Sequence, residues 1–236
     1  MAPLRQYTNW NKRDYDKEEK IEPYRKYYFI CEGQNTEKYY FKRLIDLRKQ
    51  LNISPFIDII FLEKTGKDIG SSSPKSLIAL ADDFIKKNKN KFDVNFDKII
   101  LVFDLDIYEN DNEEFQKIIY DTNKKGYMLA VTNPSFELFL LLHKENSLND
   151  IIIPNEQNIV KNEWVGKNKN RKRFINDLFY KTFNFDPKSS DKVKAFVEDV
   201  AIAISQEQRI NNDYTNSHNR LTSNIGKTIE KIKSNI

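Results

Sequence analysis

The chain has 236 residues, of which 31% are charged, 39% hydrophobic and 13% aromatic, a balance that supports a folded core and excludes a disordered chain. No run approaches the roughly 18 consecutive apolar residues that a membrane span requires. The net charge of +4 is mildly basic, one cysteine excludes an internal disulfide or a multi-cysteine zinc site, and two histidines argue against a histidine-rich metal centre.

Residues 1–23 are polar, highly charged and end at Pro23, and they read as a flexible arm. Residues 1–10 contain no apolar signal core, so the expected location is cytoplasmic. From Tyr24 onward strands and helices alternate. Residues 27–31 predict a buried strand, and 36–51 a helix with apolar spacing at Tyr40, Phe41, Leu44, Ile45 and Leu47. Residues 57–62 form a second strand, 65–73 a Gly/Ser-rich loop, and Pro74 opens a helix to about residue 89. A third strand covers 99–103, a helix 112–125 is closed by Gly126, and a fourth strand covers 127–132. Pro134 then opens an apolar helix over 136–143. Short continuous apolar strands separated by helices predict an α/β fold over residues 24–145, with a parallel sheet flanked by helices. After residue 146 the rhythm changes to helices, at 173–182, 191–205 and 221–233. The expectation for 146–236 is a helical C-terminal extension that packs on the α/β unit.

Two acidic motifs sit where strands should run out: Glu32-Gly33, followed by Glu37, and Asp104-Leu105-Asp106. In open α/β sheets ligands bind beyond the carboxyl ends of strands, so three such carboxylates suit one hard cation such as Mg²⁺. Gly33 marks a sharp turn as the chain leaves the sheet. Glu32 either faces a cation or caps the amides of the next helix. Asp104 and Asp106 are alternate residues at a strand end and point the same way, where like charges repel unless a cation or proton intervenes; the other reading is an acidic strand-to-loop turn. Glu37 either binds a second ion or complements the helix dipole. Glu137 interrupts the apolar stretch after the fourth strand and needs a partner, be it metal, lysine or a backbone cap. His143 reads as a satisfied helix-end histidine and Cys31 as a small buried residue.

Residues 161–173 carry Lys161, Lys167, Lys169, Arg171, Lys172 and Arg173 around Trp164, with Glu163 the one acid. This is either a nucleic-acid surface or a solvated loop and helix start. No P-loop, dinucleotide fingerprint or nucleophile elbow is present.

Glu-Gly at one strand end and Asp-x-Asp at another resemble the Toprim domain of topoisomerases, primases and OLD-type nucleases. The longer motifs are similar to the RloB family of bacterial defence proteins: Cys31-Glu32-Gly33 through Thr36-Glu37 with Tyr40-Phe41, Val102-Phe103-Asp104-Leu105-Asp106, and Asn133-Pro134-Ser135-Phe136-Glu137-Leu138 through Leu142-His143. The resemblance covers about residues 27–145. It implies a Toprim-like nuclease that depends on Mg²⁺ (or Mn²⁺) and hydrolyses phosphodiester bonds in DNA or RNA, tRNA included. Relatives act in phage defence or abortive infection, often beside an ABC/AAA-type ATPase. By position, Glu32, Asp104 and Asp106 would be metal ligands, with Glu37 and Glu137 supporting a second ion. Lys167, Lys169, Arg171, Lys172 and Arg173 would grip the substrate backbone. No catalytic lysine aligns, which leaves Lys64, Lys67, Lys192 and Lys194 as candidates. The alternative is a non-catalytic subunit that binds nucleic acid or a nucleotide and regulates the ATPase. A homo-oligomer fits either reading.

Overall fold

Because successive side chains of a strand point to opposite faces, four short apolar strands are enough to divide this core in two. The structure, a computed structural model, describes residues 24–64, 73–106, 112–167 and 171–234. The N-terminal arm, most of the Gly/Ser-rich loop with Lys67, and Lys169 lie outside the described residues. The α/β half runs β1 (Arg25–Cys31), α1 (Thr36–Asp46), β2 (Ile57–Phe61), α2 (Pro74–Lys87), β3 (Lys98–Asp104), α3 (Asn112–Lys125), β4 (Met128–Asn133) and α4 (Glu137–Leu141). After a π-helical turn (Leu148–Ile152) come α5 (Glu156–Lys161), a ribbon of β5 (Trp164–Val165) and β6 (Lys172–Arg173), and α6 (Phe174–Phe183). A 3-10 helix (Asp191–Asp199), α7 (Val200–Glu207), β7 (Thr222–Ser223) and α8 (Ile225–Ser234) complete the chain.

The five-stranded sheet has the order β2-β1-β3-β4-β7, parallel except for β7. Tyr27, Phe29, Ile59, Ile100, Val102 and Ala130 face a core shared with α1 and the C-terminal helices. Tyr28, Ile30, Ile99, Leu101, Phe103 and Val131 face the core under α2 and α3. The fold is thus Rossmann-like, with helices on both faces of a mostly parallel sheet. From β1 the chain leaves one way to β2 and returns on the other side to β3. The crevice at such a reversal, beyond the carboxyl ends of adjacent strands, is where open α/β sheets bind ligands.

Several local expectations hold. Gly126 ends α3 with φ of 71°, a left-handed conformation that costs glycine nothing. Pro74 opens α2, and the Ser73 hydroxyl accepts the Ser76 N–H at 3.3 Å. Others are corrected. The helix expected over 36–51 ends at Asp46 and gives way to turns, with Asn52 left-handed at φ 57°. The helix expected over 191–205 tightens in its first half into the 3-10 segment, which buries Val193 and Val197. The apolar helix over 136–143 shortens to α4. Its freed Leu142 carbonyl and that of Lys144 accept from Gln206 Nε2 at 2.6 and 2.9 Å, as helix ends require an outside partner.

The C-terminal stretch is mostly helical, yet residues 221–224 do not start the last helix. The open edge of β4 needs hydrogen-bond partners, and these residues supply them. Ser223 pairs with Thr132 and Thr222 with Asn133. The Asn224 amide extends the ladder, its Oδ1 accepting from Val131 N at 2.7 Å and its Nδ2 donating to Leu129 O at 2.8 Å. Beside it the buried Glu207 carboxylate accepts the Gly226 N–H at 3.0 Å, the Lys227 N–H at 2.8 Å and the Ser223 hydroxyl, so one side chain caps α8 and pins β7. A Cβ on Gly226 would lie 2.7 Å from Glu207 Oε2, which accounts for glycine there. Glu207→Ala leaves three donors unpaired, two of them buried, and is expected to lower the unfolding free energy by roughly 2–4 kcal/mol in a urea titration. A loss under about 0.5 kcal/mol would show that the cap is not what holds α8.

Candidate functional site

The exits of β1 and β3 are adjacent because those strands pair in register, Cys31 beside Val102. The residues that follow therefore meet. Glu32, Gly33, Gln34, Asn35, Thr36, Glu37, Asp104, Phe136, Glu137 and Lys188 line one cleft of about 260 Å³ at the topological switch point. Asp104 ends β3; its Oδ1 accepts from the hydroxyl of Thr132, its register partner on β4, at 2.7 Å. Glu32 Oε2 accepts the Asp104 N–H at 3.4 Å, which links the two strand ends. Asp106 is not among the cleft-lining residues, but its charge acts on both Glu32 and Asp104.

Glu37 is buried in the first turn of α1, where its carboxylate accepts its own backbone N–H. It therefore complements the helix terminus and also faces the cleft. The Glu37 carboxylate lies over Gly33, and a Cβ there would run into it. The turn at Gly33 does not use a left-handed φ. Glycine is needed because Glu37 takes the space.

Glu137 is 3% exposed, and its partners are neutral: Ser135 Oγ donates to Oε2 at 2.6 Å and Asn176 Nδ2 to Oε1 at 2.8 Å. Asn176 belongs to the first turn of α6. Lys188 comes from the same distant half, held at the start of α1 where Thr36 Oγ1 donates to Pro187 O at 3.2 Å and Asn35 Nδ2 to Lys188 O at 3.0 Å. The Lys64 ammonium donates to the Glu32 carbonyl. Of the candidate lysines, Lys64 thus touches the site. Lys192 lies over the Phe185 ring, while Lys194 lies over Tyr39 and pairs with Asp191 at 3.2 Å. Sequence reading misses Asn176 and Lys188, which carry no local signal. His143 is satisfied as expected: Nδ1 bonds the Phe139 carbonyl and Nε2 the Tyr40 hydroxyl, each at 2.9 Å. Since a carbonyl only accepts, the Nδ1 is the protonated nitrogen.

These acids perturb one another. Burial pushes Glu32 from an ordinary 4.5 up to about 7, and the charges of Glu37 and Asp106 add to it. Burial first, then Glu37 and Glu137, hold Asp104 well above the usual carboxylate range. Burial raises Glu37 too, with Glu137 adding and Lys188 opposing. Lys64 is shifted down by burial, against the pull of the neighbouring acids. Two ammonium groups do not balance Glu32, Glu37, Asp104 and Glu137, so the cleft favours protons or a further cation.

The donor set is carboxylate oxygen, which suits a hard cation. Among the described residues no three His, Cys, Asp or Glu side chains are drawn together closely enough to cage an ion. Mg²⁺ does not need such a cage: it keeps several waters and takes one or two carboxylates plus phosphate oxygens. The residues fit the ion in that manner.

The basic stretch is partly gathered. Trp164 pairs across the ribbon with Arg173, and Val165 with Lys172. The Arg171 and Arg173 guanidinium groups lie 5.2 and 4.9 Å from the Trp164 ring centre, and the Lys172 ammonium 4.3 Å from that of Tyr180. Lys167 is exposed beside the ribbon.

A family model described as RloB-like protein matches residues 27–232. No curated protein and no solved structure matches. No helix among the described residues is long and apolar enough to cross a membrane.

The titrations set a pH dependence whose sign follows from linkage. Acids raised in the fold hold protons that the unfolded chain has released, so their contribution is complete at low pH and is lost as pH rises through the folded values. His143 runs the other way, since burial lowers it from 6.5 to about 4; its contribution is complete above 6.5 and lost as pH falls towards 4. Above 6.5 His143 no longer contributes to the slope. In EDTA the melting temperature should therefore fall by several degrees between about pH 6.5 and pH 8, and Mg²⁺ or Mn²⁺ should restore it. Glu207 is also raised by burial, but it does not line the cleft, so Asp104→Asn separates the two by flattening the profile. A flat or rising wild-type profile would contradict the charge account.

Proposed function

The chain belongs to the RloB-like protein family, and from that premise we propose that it hydrolyses phosphodiester bonds in nucleic acid, RNA (tRNA included) or DNA, with Mg²⁺ or Mn²⁺ as cofactor. The observation that carries this reading is the convergence of Glu32, Glu37, Asp104 and Glu137 on one cleft at the switch point, with Lys188 on its wall. A binder of polyanions gains nothing from such a cluster unless a cation joins it. Glu32 and Asp104 would hold the ion, with Asp106 adding charge beside them and Glu37 and Glu137 available to a second. When bound, it supplies neutralisation of the phosphate and a water of lowered pKa.

The chain's own groups do the rest. Lys188 and Lys64 set positive charge against the phosphoryl oxygens as negative charge builds on them. Thr132 fixes the Asp104 carboxylate, Ser135 and Asn176 fix that of Glu137, and Glu37 is fixed over Gly33, so the carboxylates are preorganised. A role in phage defence beside an ABC/AAA-type ATPase, in the cytoplasm, belongs to the same proposal and rests on the motif resemblance alone.

The lack of a three-ligand cage among the described residues favours a second reading, a non-catalytic subunit that binds nucleic acid or a nucleotide and regulates the ATPase. One assay separates them. Protein with its partner should cut RNA or DNA in Mg²⁺ or Mn²⁺ and stop in EDTA, while Glu32→Ala and Asp104→Ala should each slow cleavage roughly 10²-fold or more. Equal cleavage by all three proteins would sink the hydrolase, and no cleavage with ATPase regulation intact would favour the second reading.

A further inference from the structure

The β5–β6 ribbon has two residues per strand, and a ribbon that short is marginal in water. Its stability is supplied by side chains. Alternate residues share a side of a strand, so Arg171 and Arg173 both meet Trp164, the cross-strand partner of Arg173. Arg173 is anchored further by donating from Nη1 to the Asn162 carbonyl at 3.1 Å. A purely structural clamp would cover the indole. Trp164 instead remains 50% exposed and Tyr180, under Lys172, 42%. Among the described residues no carboxylate pairs with Arg171, Lys172 or Arg173, so their charge is open to a polyanion.

The ribbon is also joined to the cleft. Arg173 is the residue before α6, and Asn176, less than one helical turn further on, holds the Glu137 carboxylate. The ribbon therefore leads directly into the helix that orients a cleft carboxylate. We propose that β5–β6 is a stacking platform for single-stranded nucleic acid: an unpaired base lies on the exposed part of the Trp164 ring, while Arg171 and Lys172 take the flanking phosphates. This rests on the nucleic-acid reading above and adds to it a substrate class, since bases within a duplex are not available to the ring.

The test is a binding measurement in EDTA, where chemistry is silent. Trp10 and Trp164 are the two tryptophans of the chain, so Trp10→Phe makes Trp164 the reporter. Single-stranded RNA or DNA oligonucleotides should quench its emission and bind about tenfold or more tighter than blunt duplexes of equal length. Trp164→Ala should weaken single-strand binding about tenfold, with Trp164→Phe retaining most of it. Arg171→Gln, chosen because Arg171 lacks the carbonyl bond that anchors Arg173, should weaken it several-fold and reduce its salt dependence by about one phosphate contact. Unquenched Trp164, equal or tighter duplex binding, or unchanged affinity in Trp164→Ala and Arg171→Gln would overturn the platform. Cleavage without quenching overturns the platform and leaves the hydrolase. Quenching without cleavage supports the platform and removes the hydrolase.

Discussion

Four carboxylates at the end of a sheet repel one another, and the burial of Glu37 and Glu137 weakens the screening that water would supply. Glu37 and Glu137 are almost fully buried, and Glu32 and Asp104 keep only partial exposure. Burial and the charges of their neighbours displace Glu32, Glu37 and Asp104 towards the protonated form. Neutral donors from Thr132, Ser135 and Asn176 orient the oxygens without cancelling the charge. Such a site is costly for the empty fold and is stabilised by whatever brings positive charge to it.

The rest of the molecule positions that cluster. The strand order brings β1 and β3 together, so the Glu32 carboxylate accepts the backbone N–H of Asp104, 72 residues away. The helical half closes the other side, with α6 supplying Asn176 and the segment before the 3-10 helix supplying Lys188. The two halves share one hydrophobic core, from Tyr27 to Ile232. The family match spans nearly the same range, 27–232, whereas the motif resemblance reaches only to about residue 145. That difference has a physical reading: short motifs mark the strand exits, while packing residues of α6, α7 and α8 carry a diffuse apolar pattern.

Much of this was legible in the order of residues. Continuous apolar strands and capped helices have local causes, so β1 to β4 and α2 and α3 fall where periodicity, Pro74 and Gly126 place them. Glu32, Asp104 and Glu137 stood out because carboxylates at the exits of apolar runs are expensive. What was not legible depends on distant contacts. Nothing near Asn176, Lys188 or Glu207 announces their partners, and β7 exists because the edge of β4, some ninety residues earlier, needs pairing. Gly33 was read as a turn residue, but its reason is the Glu37 side chain above it. The basic stretch was visible as composition, whereas the placement of two guanidinium groups on Trp164 follows only from the ribbon's register.

The role proposed for the cleft is to hold a divalent cation between the ends of β1 and β3. A crystal soaked in Mn²⁺ and measured for anomalous scattering tests it most directly. A peak is expected in the cleft within coordination distance, about 2.0–2.3 Å, of carboxylate oxygens of Glu32 and Asp104, and it should disappear in Asp104→Asn. A clean cleft, with manganese only at surface carboxylates or nowhere, would contradict it.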